Sequence, residues 1–291
     1  MRLHYVLFLL FISNLQFGQT NSLLWEIKHP QTDKLSYVFG TIHLIPESHF
    51  AISDSLHHCL NIVDEIYFKI NLDELNDIST WSSFINKLFM PNGVLLSQLI
   101  SPKDFNLIAE KMKQANIPLY MFNRIKPMFL SILLETSNLD VSEKDSTQTM
   151  ASYEFELSHI AKQNGTKING LETIDFQVSL FDSISLEEQA QLLVSSLSDK
   201  KQESLNIDLY EIYTNQDLEK LAELLFSDST HQNYNHLLLD KRNKKWIEQI
   251  LSNSRKKSCV YAVGAGHLPG ENGILNLLVQ NGFIIRPMEN F

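Results

Sequence analysis

Two short phrases in this chain carry a histidine in the same setting. Tyr37 to Leu44 reads YVFGTIHL, and Tyr261 to Leu268 reads YAVGAGHL. Each is an apolar run, a glycine, two residues, then His-Leu, so that His43 and His267 occupy matching places. A glycine ahead of a histidine-bearing turn lets the backbone bend and approach a neighbour closely. An imidazole at such a turn can bind a metal, serve as an acid or base, or hydrogen-bond to backbone. One GxxH carries almost no signal, but two at matching strand ends point to a shared site. Imidazole suits zinc, manganese, cobalt or iron, and a catalytic metal normally takes a third ligand, often a carboxylate.

Several side chains could complete such a site. Glu172, in NGLET, follows a short strand, and Asp73 and Glu74 follow another. Arg242 and Asn243 share a helical stretch, LLLDKRNKKWIEQIL; a guanidinium can hold an oxyanion or a carboxylate, or form a surface ion pair. His49, His57 and His58 read as surface or cap residues. Other chemistries lack their motifs. No GxSxG elbow, HExxH, P-loop or GxGxxG is present, and Gly264-Ala265-Gly266 fails the dinucleotide spacing at His267.

The elements that would place these residues are legible from periodicity. SLLWEIKHP and LSYVFGTIHL predict a hairpin around HPQTDK, and SDSLHHCLNIVDE predicts a helix capped by Ser53. EIYFKINL alternates its side chains in the manner of a strand. The middle is helical, with starts at Ser101-Pro102 and at the capping box Ser185–Glu188, and with helices in RIKPMFLSILLE and YEFELSHIAKQNG. TKINGLET is a short strand. Helical periodicity then runs to Leu251, followed by the strand SCVYAVGAGHL, the helix NGILNLLVQNG and the strand FIIRPM. Strand-rich ends thus bracket a helical middle, and both GxxH phrases close strands, where ligands gather in α/β folds. We expect one domain over 22–291 with a helical insertion at roughly 75–150.

Composition limits the partners. The chain has 291 residues, a 44% hydrophobic fraction and a formal charge of -10, with its basic residues scattered. That charge disfavours nucleic acid, because phosphate binding needs a basic surface. Residues 1–19 read as a signal peptide, with Arg2, the apolar run Tyr5–Ile12 and small or polar residues around Gly18 and Gln19. The run is too short to span a bilayer, so the expectation is a soluble periplasmic or secreted protein. There an oxidising compartment would permit a bond between Cys59 and Cys259, though both equally read as buried thiols.

Taken in order, LLWEI, VFGTIHL, IKPMFLSILLE, NGLETIDFQVSLFDSISLEEQAQLL, DKRNKKWIEQI and VYAVGAGHLPGENGILNLLVQNGF resemble the TraB/GumN family, whose relatives include the Tiki proteins. The resemblance runs from about Ser22 to Pro287. It implies a metal-dependent hydrolase, with a peptidase as its finer reading, acting on a peptide or other small substrate. The fold implied is a mixed sheet with two pseudo-equivalent GxxH strands and flanking helices, similar to erythromycin esterase and ChaN. By position His43, His267 and Glu172 carry over as metal ligands, for manganese, cobalt or zinc. His43, His267, Glu172, Arg242 and Asn243 carry over as the catalytic set. One position departs. Where the family pattern has a glutamate late in the strand after the first helix, this chain has Lys69. An ammonium there repels a metal cation by several kcal/mol in a dry pocket, so either another acid completes the site or Lys69 replaces the metal. In the second case the protein is a degenerate member that binds without turnover.

Overall fold

The computed structural model describes residues 22–114, 117–138, 149–198, 209–227 and 236–289. The expected signal peptide at 1–19 lies outside the described residues. The framework is a six-stranded sheet of Leu24–Lys28 (β1), Leu35–Thr41 (β2), Glu65–Phe68 (β4), Lys167–Gly170 (β6), Cys259–Gly264 (β7) and Ile284–Pro287 (β8), in the order β6-β4-β7-β2-β1-β8. A second, two-stranded sheet pairs Ile45–Pro46 (β3) with Met150–Ala151 (β5).

The sheet is mixed. β6, β4, β7 and β2 run parallel, while β1 pairs antiparallel with β2 and β8 antiparallel with β1. The β1–β2 hairpin turns over residues 29–34, where the polar run in the sequence places it. β4 does not alternate as a half-buried strand would. All its residues are buried, which is what a central parallel strand covered on both faces requires.

Helix starts follow local chemistry. The hydroxyl of Ser53 accepts from the Leu56 N–H to begin Asp54–Ile62. Ser185 and Glu188 exchange the reciprocal bonds of a capping box, as their spacing requires. Apolar positions from the helices Asp54–Ile62, Tyr153–Asn164, Lys241–Ser254 and Ile274–Gln280 pack with the strands in one core. A second core joins Leu96, Ile108, Met112 and Leu130 to Ile174, Val178, Ala190 and Leu193, all on helical segments. Cys59 and Cys259 are both buried free thiols, resolving the alternative left open by the sequence. Among the described residues no helix is long and apolar enough to cross a membrane.

Candidate functional site

The C-terminal ends of the parallel strands all point to one edge of the sheet. Following strand order, Glu172 comes two residues after β6, Lys69 directly after β4, His267 in the 3-10 turn Ala265–His267 after β7, and His43 two residues after β2. Residues far apart in sequence are therefore neighbours by topology alone. β2 and β7 are adjacent, with Thr41 paired to Gly264 and Gly40 to Val263. The two GxxH phrases lie side by side, one register position out of step.

The two histidines have unlike surroundings. The His43 side chain is 72% exposed; His267 is 4% exposed. Nδ1 of His267 lies 2.7 Å from Oδ1 of Asn243, whose amide nitrogen donates to the carbonyls of His267 and Asn272. Both hydrogens of that amide are used, so its oxygen accepts and Nδ1 of His267 carries the proton. Nε2 then bears the lone pair. Burial, reinforced by the charges of Arg242, Lys69 and His43, holds the His267 pKa well below the ordinary histidine value, so this imidazole stays neutral. The Trp246 ring lies 4.5 Å from the His267 ring, centroid to centroid, and fixes its plane.

Arg242, Asn243 and Trp246 share a face of the Lys241–Ser254 helix. Arg242 grips Glu172 from two sides, Nε to Oε2 at 3.2 Å and Nη2 to Oε1 at 2.5 Å. Its remaining nitrogen donates to the Leu238 carbonyl, and its guanidinium lies over the Trp246 ring. The Trp246 indole N–H also donates to Glu172. Glu172 and Arg242, carried over as a metal ligand and an oxyanion holder, are thus spent on each other.

Lys69 stands where the implied acid was missing. It is 8% exposed, and its Nζ lies 2.7 Å from Nε2 of His43. Behind His43, Nδ1 is 3.4 Å from a carboxylate oxygen of Glu154. That oxygen also accepts from Thr41 at 2.9 Å. The result is a carboxylate–imidazole–amine line, Glu154–His43–Lys69. Burial lowers the Lys69 pKa to about 8, with Glu154 opposing the shift, Arg242 adding to it and Glu172 opposing it. Burial alone would raise the Glu154 pKa, but its contact with His43 and the charges of His43 and Lys69 outweigh that and leave it lowered.

The sequence reading missed Glu154. Its only local mark is a place in the first turn of the Tyr153–Asn164 helix, where acids are common for dipole reasons. The β3–β5 ladder brings it to the site by pairing the segment after His43 with the segment before Glu154. Asp73 does not join. It is exposed and pairs with Lys162. His49, His57 and His58 are exposed, as expected.

The motif glycines correct a second expectation. Neither has positive φ, so neither is kept for a sharp bend. A Cβ on Gly40 would sit 2.8 Å from Leu268 Cδ1 and 3.1 Å from Ala265 Cα, so this glycine is kept for packing between neighbouring turns. At Gly264, φ -54° and ψ 135° suit any residue. A Cβ there would only touch His267 at 3.6 Å and the Lys69 amine at 3.8 Å. Gly264 leaves methyl-sized room beside the amine and the buried imidazole.

Does this donor set fit a divalent metal? Among the described residues no three His, Cys, Asp or Glu side chains gather to hold one. Nε2 of His43 faces the Lys69 amine, and Glu172 is held by Arg242 and Trp246. As arranged, the residues do not fit.

An α/β sheet with polar groups converging on the carboxyl ends of its parallel strands defines the class of protein. The chain belongs to the TraB/PrgY/gumN family, whose sequence profile matches residues 23–287. It is similar to metalloprotease TIKI2 of Danio rerio, 22% identical over 90% of this chain and 60% of that protein. It is likewise similar to metalloprotease TIKI1 of Homo sapiens (23% identical, 92% and 62%) and to the metalloprotease TIKI homolog of Nematostella vectensis (21% identical, 90% and 66%). The chain spans about 60% of the length of the first of these relatives. No solved structure gives a significant match.

Proposed function

We propose that this protein is an extracytoplasmic member of its family that binds a small or peptide-like ligand at the carboxyl edge of its sheet, with the Lys69 amine as the centre of the site in place of a metal ion. Kinship with the TIKI metalloproteases supports a hydrolase-like site in general. What argues against metal-dependent hydrolysis is one observation, the Lys69 amine 2.7 Å from Nε2 of His43. A nitrogen lone pair that faces an amine is not available to a cation. Coulomb repulsion between the ammonium and a divalent ion at such range is several kcal/mol even at an effective dielectric constant of about 20.

Family membership supports a second reading, a metal-dependent hydrolase using His43, His267 and Glu172. For that reading Lys69 must leave the pocket and Glu172 must leave Arg242, breaking a buried ion pair at a cost of roughly 3–5 kcal/mol.

Metal content separates the two. The purified protein is incubated with manganese, cobalt or zinc, desalted and measured, beside His43→Ala, His267→Ala and Lys69→Glu. Our reading expects no stoichiometric metal in the wild type and a gain of metal in Lys69→Glu. About one metal per chain in the wild type, lost in both histidine variants, would establish the second reading instead.

A further inference from the structure

Lys69 is more than a plug in a disused metal site. Its amine is buried, 2.7 Å from an imidazole nitrogen, and the other nitrogen of that ring is 3.4 Å from a carboxylate. An amine in line with a base, and a base oriented by an acid, is the arrangement that activates nucleophiles. Thr41, whose hydroxyl donates to Glu154 at 2.9 Å, fixes the carboxylate from β2. Gly264 supplies what a structural lysine does not need, open space against the amine that an ordinary Cβ would fill without strain.

A nucleophilic amine suits one class of electrophile above others. Attack on a peptide or ester would leave an amide on the lysine, a dead end for turnover. Attack on an aldehyde gives an imine, which forms and reverses readily. We propose that Lys69 is a carbonyl-reactive amine that captures small aldehydes as an imine, with His43 as its proton carrier. This rests on the reading that an amine and not a metal holds the centre of the site.

The step balances. The lone pair of the neutral amine adds to the carbonyl carbon as the carbonyl π bond breaks onto oxygen. His43 takes one nitrogen proton through Nε2, with Glu154 at Nδ1 steadying the imidazolium, and gives it to that oxygen, which becomes the hydroxyl of a carbinolamine. His43 then takes the second nitrogen proton and passes it to the departing hydroxyl, which leaves as water as the carbon–nitrogen double bond forms. Water reverses the sequence and frees the aldehyde. No oxidant or reductant is consumed.

The test uses limiting acetaldehyde with sodium cyanoborohydride, which reduces an imine to a stable ethyl-lysine, and locates the label by peptide mass spectrometry. The half-buried Lys28 and the exposed Lys167 serve as internal standards. Lys69 should be labelled about tenfold faster than either. His43→Gln should slow labelling at Lys69 on the order of a hundredfold, and Gly264→Ala should suppress it by filling the space, both without change at Lys28. Circular dichroism confirms that each variant is folded, and the His43 variant decides alone if the Gly264 variant is not. Labelling of Lys69 no faster than Lys28 and Lys167 would overturn the proposal, as would a rate indifferent to both substitutions. The metal assay keeps the two claims apart. A metal-free wild type without selective labelling removes the imine chemistry alone, whereas a stoichiometric metal removes the amine-centred reading beneath it.

Discussion

Nζ of Lys69 stands 2.7 Å from Nε2 of His43. The contact joins the first GxxH turn to the end of β4, two strands away in the sheet, and passes over the room left at Gly264 of the intervening β7. It also sets the electrostatics. A buried amine with a lowered pKa sits among two imidazoles, a carboxylate at Glu154 and the internally neutralised pair Arg242–Glu172.

That amine should reveal itself in alkaline stability. The folded-state pKa of Lys69, about 8, lies below the ordinary lysine value of 10.5. Between these values the unfolded chain holds the proton and the folded chain does not, so wild-type stability rises with pH across that window. Below pH 8 both states hold it, and the folded protein carries the full penalty, on the order of 3 kcal/mol. Urea unfolding of the wild type and Lys69→Met at pH 7, 9 and 10.5 should show the variant's advantage shrinking by that amount. A constant difference would mean that Lys69 is solvated.

The Arg242–Glu172 pair should behave as a unit. Glu172→Gln leaves a buried guanidinium without its counter-charge and should cost roughly 3–5 kcal/mol. Arg242→Met combined with Glu172→Leu should recover most of that loss, because two apolar side chains leave no charge unpaired. A double-mutant cycle in urea measures the coupling, expected to exceed about 1 kcal/mol.

The glycines of the repeated motif should respond oppositely to alanine. Gly40→Ala presses on the backbone of Ala265 and should cost about 1–3 kcal/mol. Gly264→Ala fits the existing backbone and should change stability little, or raise it by roughly 0.5 kcal/mol through the unfolded chain. Paired thermal melts test this, and equal losses would show that the motif glycines share one role.

Acid should destabilise the fold through His267. Its folded-state pKa lies well below the histidine value of 6.5, so the unfolded chain takes up a proton first. The His267 contribution is complete above about pH 6.5 and is lost as the pH falls below it. His267→Asn should flatten the part of that decline lying above the carboxylate range, as read from unfolding curves at pH 7, 6 and 5.

Much of the framework was legible because local rules and tertiary packing agree. The β1–β2 hairpin, the Ser53 cap and the Ser185–Glu188 box each rest on a side chain reaching its own neighbours. The grouping of His43, His267 and Glu172 at one sheet edge followed from their places after strands. What could not be read was pairing across the sheet. Glu154 and Trp246 enter through contacts with residues over seventy positions away, and nothing in YEFEL or KKWIEQ distinguishes them from ordinary helix residues. Nor could spacing show that Arg242 and Glu172 face each other instead of a ligand.

The Lys241–Ser254 helix holds both deep parts of the site by one face. Asn243 sets the proton on His267, at the end of β7, while Arg242 and Trp246 hold Glu172, beyond β6. These parts belong to strands separated by β4, yet they share a single rigid rod. Any displacement of that helix therefore moves the side chains that hold the imidazole and those that hold the carboxylate together, so the two are mechanically one unit.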